Sequence, residues 1–408
     1  MTIALAFSGG LDTSFCVPYL QETDDASVVT VTVDTGGISD DEAAAIEARA
    51  YELGADHHVL VDGRAALYAD HLSYLIKGNV LRGDVYPLCV GPERVVQARE
   101  VVNVAQKVGA SAVAHGSTGA GNDQVRFDVA LQLLGGDLDV LAPIRELELS
   151  RQDSTDFLTA RGFDVPDDTT AYSINRGLWG TTVGGKETHT THEPLPESAY
   201  PDTTPPTEAP DEPHTLTIEF EDGLPVALGG TPLDGVALIE KLNTIGGAHG
   251  VGRDIHVGDT ILGIKGRVGF EAPAACILIA AHRELEKIVL TKWQRYQKEQ
   301  QADFYGMLLH EGQYFDPAMR DVEAFFDSSQ EVVTGTVTVQ LYKGTVRVLG
   351  CESPHSMFDA GTATYGEEHD LWDGRDAEGY TTLAGIQALL AKRAHKAPAE
   401  SVGPAGDA

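Results

Sequence analysis

The run Ala6-Phe7-Ser8-Gly9-Gly10-Leu11-Asp12-Thr13-Ser14 limits this chain more than any other stretch. Before it lies Ile3-Ala4-Leu5-Ala6-Phe7, a short apolar segment that reads as a buried strand. After it, Phe15 to Glu22 reads as the start of a helix. A strand, a loop of small residues and a helix N-terminus make an anion cradle. The glycines let backbone N–H groups approach an oxyanion, the hydroxyls add donors, and the helix dipole favours negative charge. The loop has neither the G-x-x-x-x-G-K-[ST] spacing nor the lysine of a Walker loop. The plainer alternative is a Gly-rich turn between strand and helix.

The rest of the first 165 residues extends this pattern. Val28 to Val33 is a β-branched strand, Asp40 to Leu53 a helix closed by Gly54, and His58 to Val61 a short strand. Ala65 to Asn79 and Pro92 to Val108 read as helices, followed by the strand Ala112-Val113-Ala114. Val125 to Leu134 (helix), Val140 to Ala142 (strand) and Arg151 to Arg161 (helix) complete the alternation. Such alternation predicts a doubly wound parallel sheet, with ligands beyond the C-terminal strand ends at the topological switch. The fold class is therefore α/β for residues 1–165, followed by an α+β domain over 166–380 and a C-terminal helix and tail over 381–408. In the second part, Thr215 to Phe220 with Val226 to Gly229 suggests a hairpin, Gly235 to Leu242 a helix, and Ile255 to Val268 strands. Glu284 to Leu309 reads as one long helix with Leu285, Ile288, Val289, Trp293 and Tyr296 on a stripe. Thr334 to Val348 reads as a hairpin turning at Lys343-Gly344, and Leu383 to Lys396 as a short amphipathic helix before a Gly/Pro/Ala tail. Residues 194–213, rich in Pro, Thr and acids, read as an exposed connection.

Charge narrows the partners. With 62 acidic and 29 basic residues, the net charge is −33, a field that repels phosphate backbones and argues against nucleic acid. The four cysteines, Cys16, Cys89, Cys276 and Cys351, are scattered, against both a zinc ribbon and a disulfide scaffold. No signal segment is evident, and the longest apolar run, near Ala272 to Ala281, is too short to span a bilayer. A soluble, cytoplasmic protein is expected, with no membrane partner.

A second constellation runs from His115 through Gly116, Ser117, Thr118, Gly119, Ala120, Gly121, Asn122, Asp123, Gln124 and Val125 to Arg126-Phe127, directly after a buried strand. Asn and Thr can grip a carboxylate, Asp an ammonium, and Arg can fork onto a carboxylate or phosphate. The alternative is a capped helix start, with Asn122 or Asp123 as N-cap.

Ser-Gly-Gly-x-Asp-[Ser/Thr] resembles the pyrophosphate-binding loop of the N-type ATP pyrophosphatases. Together, Ala6 to Ser14 and Ala114 to Phe127 resemble argininosuccinate synthase. So do Tyr172-Ser173-Ile174-Asn175, His249 to Arg253, Glu271-Ala272-Pro273-Ala274, Thr334 to Val337, Glu352 to Ser356 and Asp376 to Tyr380, in family order. The resemblance implies ligation of citrulline and aspartate to argininosuccinate, with ATP leaving as AMP and pyrophosphate through a citrullyl-adenylate, in arginine biosynthesis. It further implies ATP as substrate and a homotetramer; Mg²⁺ on the phosphates is expected on charge grounds, with no metal held by protein side chains alone. By position, Ser8, Gly9, Gly10, Asp12, Thr13 and Ser14 would hold the ATP phosphates, Ala6 and Val33 would border the adenosine, and Gly116 would face ATP. Thr118, Asn122 and Asp123 would bind aspartate; Tyr86, Asn122, Arg126, Ser173 and Thr182 would contact citrulline. Asp12, Ser14, Asp123 and Arg126 are the candidate catalytic residues.

Four positions depart from the family pattern. Cys89-Val90-Gly91 replaces Gly-Thr-[Ser/Ala], Gly258 the Glu of Val-Glu-Asn, Phe270 the Tyr before Glu-x-Pro-Ala, and Ala120 the Lys of Gly-Lys-Gly-Asn-Asp. The first three fall on the citrulline side and mark a divergent subfamily there. Exchanging Glu for Gly removes a charge and should open space, so an N-acylated citrulline with an uncharged α-nitrogen is the alternative acceptor. Plain drift with ordinary citrulline is the simpler account. A tRNA-modifying ATP pyrophosphatase would share the first motif but would want basic surface and often sulfur-transfer cysteines, whereas this chain is acidic and its cysteines are scattered; a non-catalytic nucleotide sensor would need the cradle but not Asn122, Asp123 or Arg126. His189 and His192, in a Thr-rich stretch, read as a solvated loop, and His115 as a structural or ligand-orienting residue.

Overall fold

A computed structural model of the chain describes residues 1–165, 172–358, 362 and 371–396. The first residues beyond the expected boundary at 165, and the tail after Lys396, lie outside the described residues. Met1–His355 forms one compact unit and Ser356–Ala408 another.

The alternating pattern yields five parallel strands: β1 (Thr2–Ala6), β2 (Ser27–Asp34), β3 (His57–Asp62), β4 (Ala112–Ala114) and β5 (Asp139–Leu141). Their order is β3-β2-β1-β4-β5, so the winding reverses between β1 and β4. Strand periodicity divides the side chains between two cores. Ile3, Leu5 and Val28 pack beneath Phe15, Val17, Leu20, Ala50, Leu53 and Leu158. Ala4, Val29, Val31 and Val33 face Ala98, Val101, Ala105, Phe127 and Leu131. Helices therefore cover both faces, and near-continuous apolar strands are what a twice-covered sheet requires.

The remainder of the larger unit holds two antiparallel sheets. One comprises β6 (Ser173–Gly177), β7 (Gly180–Gly184), β11 (Arg253–Asp259) and β12 (Lys265–Glu271), ordered β11-β12-β7-β6. The other comprises β8 (His214–Glu221), β9 (Leu224–Leu228), β10 (Thr231–Pro232), β13 (Gly335–Tyr342) and β14 (Thr345–Glu352), ordered β10-β9-β8-β13-β14. Lys343 and Gly344, both at positive φ, close the β13–β14 hairpin as the sequence predicts. The smaller unit contains helices Gly374–Ala384 and Ile386–Lys396, so the expected terminal helix starts earlier and is interrupted at Gly385.

Two expectations need correction. The single helix over Glu284 to Leu309 is two helices, Pro273–Val289 and Lys292–His310. Thr291 caps the second: its hydroxyl accepts from the Gln294 N–H while the Gln294 side chain returns to Thr291, a capping box whose two reciprocal bonds stop one helix and start the next. Trp293 and Tyr296 leave the buried stripe and are 70% and 58% exposed. The 194–213 connection is also less exposed than expected. It buries Leu195, Ala199, Thr203 and Ala209, and Thr203 donates a 2.5 Å hydrogen bond to the buried Glu271 carboxylate.

His71 and His282 are both fully buried. His71 lies against Tyr314 with neither ring nitrogen partnered, and burial lowers its pKa to about 3. Burial lowers that of His282 to about 4. Because the folded values lie below the unfolded one, the unfolded chain takes up protons first. Stability from these groups is complete above the unfolded pKa and is lost as pH falls below it. Unfolding in urea at successive pH values should show about 2 kcal/mol lost per histidine between about pH 7 and pH 5, and His71→Phe should flatten the slope by one such increment.

Candidate active site

The winding reversal sets the Ser8 loop, after β1, beside the His115 segment, after β4. Gly9 has φ +75°, a left-handed conformation that favours glycine. It turns the chain into the helix Leu11–Asp24, whose N-cap, Gly10, supplies no side-chain cap. The first-turn N–H groups therefore remain open to an anion. The Ser8 and Thr13 hydroxyls lie 3.2 Å apart at the loop mouth. Gly116 approaches this loop closely: a Cβ there would sit 3.0 Å from Thr13 Cγ2 and 3.1 Å from the Thr13 nitrogen. Glycine at 116 thus lets the two loops touch.

Between them opens a cavity of about 860 Å³, towards the upper end of small-molecule sites. Ala6, Ser8, Gly10, Asp12, Thr13, Val33, Gly116, Thr118, Asn122, Asp123, Arg126 and Ser173 all line it. The fold brings these together from β1, β2, the helix Asp123–Gly135 and β6. Its wall also carries Arg94, Arg151 and Arg176 beside Arg126, against the acids Asp12, Glu42 and Asp123. On a chain with 62 acids and 29 bases, cations hold the local majority here, which suits an anionic ligand.

Four expected site residues lie elsewhere. Gly9 forms the turn without lining the cavity. Ser14 is buried behind the loop and donates to the Gly9 carbonyl at 3.4 Å. Tyr86 is buried against His256 and Phe270, ring centroids 5.4 and 5.3 Å away. Thr182, on β7, pairs with Asn175 and Phe270 in the sheet behind Ser173.

Asn122 does not cap its helix: its Oδ1 accepts from the Ile261 N–H at 2.8 Å, tying the loop to the β11–β12 turn. Asp123 is clamped by Arg94 and Arg126, each at 3.0 Å. Burial pushes its pKa up, but the two guanidiniums more than offset this, leaving it below the usual carboxylate value. Arg126 also donates from Nε and Nη2 to the His310 carbonyl, at 3.0 and 2.9 Å. Burial, then Arg126 and Arg82, lower the His310 pKa to about 3, so its neutral ring accepts from Arg126 at Nδ1 and donates from Nε2 to the Asp259 carbonyl. His115 donates from Nε2 to Asp128 at 2.8 Å and accepts from the Ser117 N–H at Nδ1. Both ring nitrogens are engaged in holding the loop. Burial raises the Asp12 pKa, with Arg151 pulling the other way.

Sequence reasoning missed Arg94, Arg151 and His310. Arg94 and Arg151 sit at helix starts flanked by apolar periodicity, and nothing local marks them. His310 ends a helix far along the chain, with no signal connecting it to Arg126. Among the described residues no group of three or more His, Cys, Asp or Glu is arranged to hold a metal, and no helix is long and apolar enough to cross a membrane.

The arginosuccinate synthase N-terminal HUP domain matches residues 2–164, and the arginosuccinate synthase C-terminal domain matches residues 172–391. The chain belongs to the argininosuccinate synthase family. It is 39% identical to the argininosuccinate synthase of Methanocaldococcus jannaschii over 386 residues, 95% of this chain and 96% of the relative. It is 43% identical to that of Xanthomonas axonopodis over 401 residues, 95% of this chain and 94% of the relative. It is 41% identical to that of Dehalococcoides mccartyi over 390 residues, 95% of each.

Gly116→Ala should push the two loops apart at the Thr13 backbone. The expected result is a fall of at least about tenfold in affinity for a non-hydrolysable ATP analogue by calorimetry, with a stability loss of about 1–3 kcal/mol.

Proposed function

We propose that the chain joins a ureido amino acid of the citrulline class to aspartate, converting ATP to AMP and pyrophosphate. The carrying observation is the shared cavity that places the uncapped helix N-terminus and hydroxyl-lined Ser8 loop opposite Thr118, Asn122, Asp123 and Arg126.

In this reading the loop N–H groups and the Ser8 and Thr13 hydroxyls bind the ATP phosphates, with Ala6 and Val33 against the adenosine. The ureido oxygen attacks the α-phosphorus and its O–P bond forms as the bond to pyrophosphate breaks. The aspartate amine then attacks the ureido carbon, and AMP departs carrying the former ureido oxygen. Asp123, keeping lone pairs beyond those given to Arg94 and Arg126, accepts from the aspartate ammonium, which sheds a proton to solvent in the cavity before the amine attacks; Thr118 and Asn122 bind its carboxylates. No protein nucleophile is required, so catalysis is positioning and charge stabilisation. Arg126 is suited to stabilising that charge, because Asp123 and His310 already fix its donors and little reorganises as charge develops.

Mg²⁺ fits the donor set here, since Asp12 and the loop hydroxyls offer only hard oxygen atoms. Held mainly by the phosphates with Asp12 beside them, it would neutralise charge on the polyphosphate. A cytoplasmic location and a homotetrameric assembly belong to the same proposal and rest on family membership.

Acceptor labelled with ¹⁸O at the ureido oxygen should deliver the label to AMP and none to pyrophosphate, read by mass spectrometry; label elsewhere overturns the adenylate. Asp12→Asn should lower kcat by about a hundredfold, measured by pyrophosphate release.

A further inference from the structure

Four arginines line the cavity, and three of them are already engaged. Arg94 pairs with Asp123 and reaches Gln97 and Asn175. Arg126 pairs with Asp123 and bonds to His310. Arg176 pairs with Asp202 at 3.0 Å. The fourth, Arg151, is exposed at the cavity wall, and among the described residues no group hydrogen-bonds or ion-pairs with its guanidinium. The acids around it are committed or apart. Asp153 accepts from the Ser150 N–H and hydroxyl at 2.8 and 2.5 Å. Glu146 accepts from the Ala142 N–H at 2.9 Å. Glu148, at positive φ in the turn before the helix, is exposed. Asp12 shares the cavity wall with Arg151 and feels its charge through space.

Helix packing puts Arg151 there. It opens the helix Arg151–Ala160, which Ser150 and Asp153 cap reciprocally. The Phe157 ring packs on Phe15 and Tyr19 of the helix Leu11–Asp24, with centroids 4.4 and 6.3 Å away. Arg161 forks onto Glu22 with both bonds at 2.6 Å. Ten residues separate Arg151 from Arg161, and ten separate Asp12 from Glu22, about 15 Å of helix in each case. The two helices therefore run in the same direction with their first turns level, and Arg151 stands beside the Ser8 loop. The first helix leaves its N–H groups open to an anion. The second, capped by its own serine, contributes a guanidinium instead.

In the ligase reading, Ala6 and Val33 border the adenosine, the Ser8 loop holds the phosphates, and Arg126 stands on the acceptor side with Asn122 and Asp123. The β- and γ-phosphates then fall at the Asp12 end, within the reach of Arg151. When the α–β bridge breaks, the electron pair stays on the bridging oxygen and negative charge grows on the departing pyrophosphate. A helix N-terminus meets that charge with about half a unit. A guanidinium meets it with a full one, in a planar fork that matches two phosphate oxygens. Having no partner of its own, Arg151 gives up no ion pair to do so.

Building on the ligase reading above, we propose that Arg151 is a catalytic residue that receives the leaving pyrophosphate. Its N–H groups donate to the β- and γ-phosphate oxygens while the ureido oxygen displaces them from the α-phosphorus, and it keeps its protons throughout.

The test follows argininosuccinate formed from ATP, Mg²⁺, citrulline and aspartate, with pyrophosphate or AMP added as product inhibitor. Arg151→Gln should lower kcat by about a hundredfold. It should also raise the inhibition constant of pyrophosphate at least about tenfold, while that of AMP and the KM for aspartate stay within about twofold. Arg151→Lys, which keeps the charge without the fork, should fall between Arg151→Gln and the wild type. Arg161→Gln loosens the other end of the same helix and should leave the pyrophosphate constant within about twofold of the wild-type value. Thermal unfolding of each variant checks its fold. An unchanged pyrophosphate constant in Arg151→Gln, or an equal weakening of pyrophosphate and AMP, overturns the proposal and leaves the ligase reading intact. So does a rise in Arg161→Gln as large as that in Arg151→Gln, since helix placement would then be the cause. No argininosuccinate from the wild-type protein with all substrates present overturns the ligase reading, and the proposal with it.

Discussion

The architecture turns on the guanidinium of Arg126. It projects from the first turn and a half of a helix that belongs to the parallel-sheet half, yet most of its hydrogen bonds go to His310, at the end of a helix from the other half. The last carbonyls of a helix have no partner within it, and a cation there is favoured by the helix dipole as well. One side chain thus satisfies an orphan carbonyl, joins the two halves and presents a fixed positive charge to the cavity. Its remaining nitrogen holds Asp123, which Arg94 holds from the other side. The carboxylate stays ionised although burial opposes it.

Much of this was legible in the chain. The parallel sheet, its strands and the placing of both loops at the winding reversal follow from alternation and from where glycines fall after buried strands. Local chemistry marked Ser8, Asp12, Thr13, Asn122 and Asp123, and the cavity gathers them. What was not legible arises from contacts between residues far apart in sequence. Nothing near Arg82 says that it will reach the flank of β11, and nothing near His310 says that it will meet Arg126. Asn122 shows the same limit. Its position before an acidic helix start reads as a cap, but its oxygen is taken by Ile261 from a distant turn.

The Gly258 neighbourhood shows how a substitution misleads when read singly. Deleting a side chain suggests a hole, yet a dense interior seldom leaves one. Here the imidazole two residues earlier on the same strand face, and a guanidinium from another segment, fill the gap.

The helix break at Thr291 reaches further than its own turn. A single rod from Glu284 to Leu309 would run about 39 Å in one direction, carrying its end away from where it began. The Thr291–Gln294 pair acts as an elbow, so that the second segment sets off along a new axis and its last carbonyl arrives at Arg126. One hydroxyl and one amide, far from any reacting atom, thereby decide which backbone oxygen anchors the cation in the cavity wall.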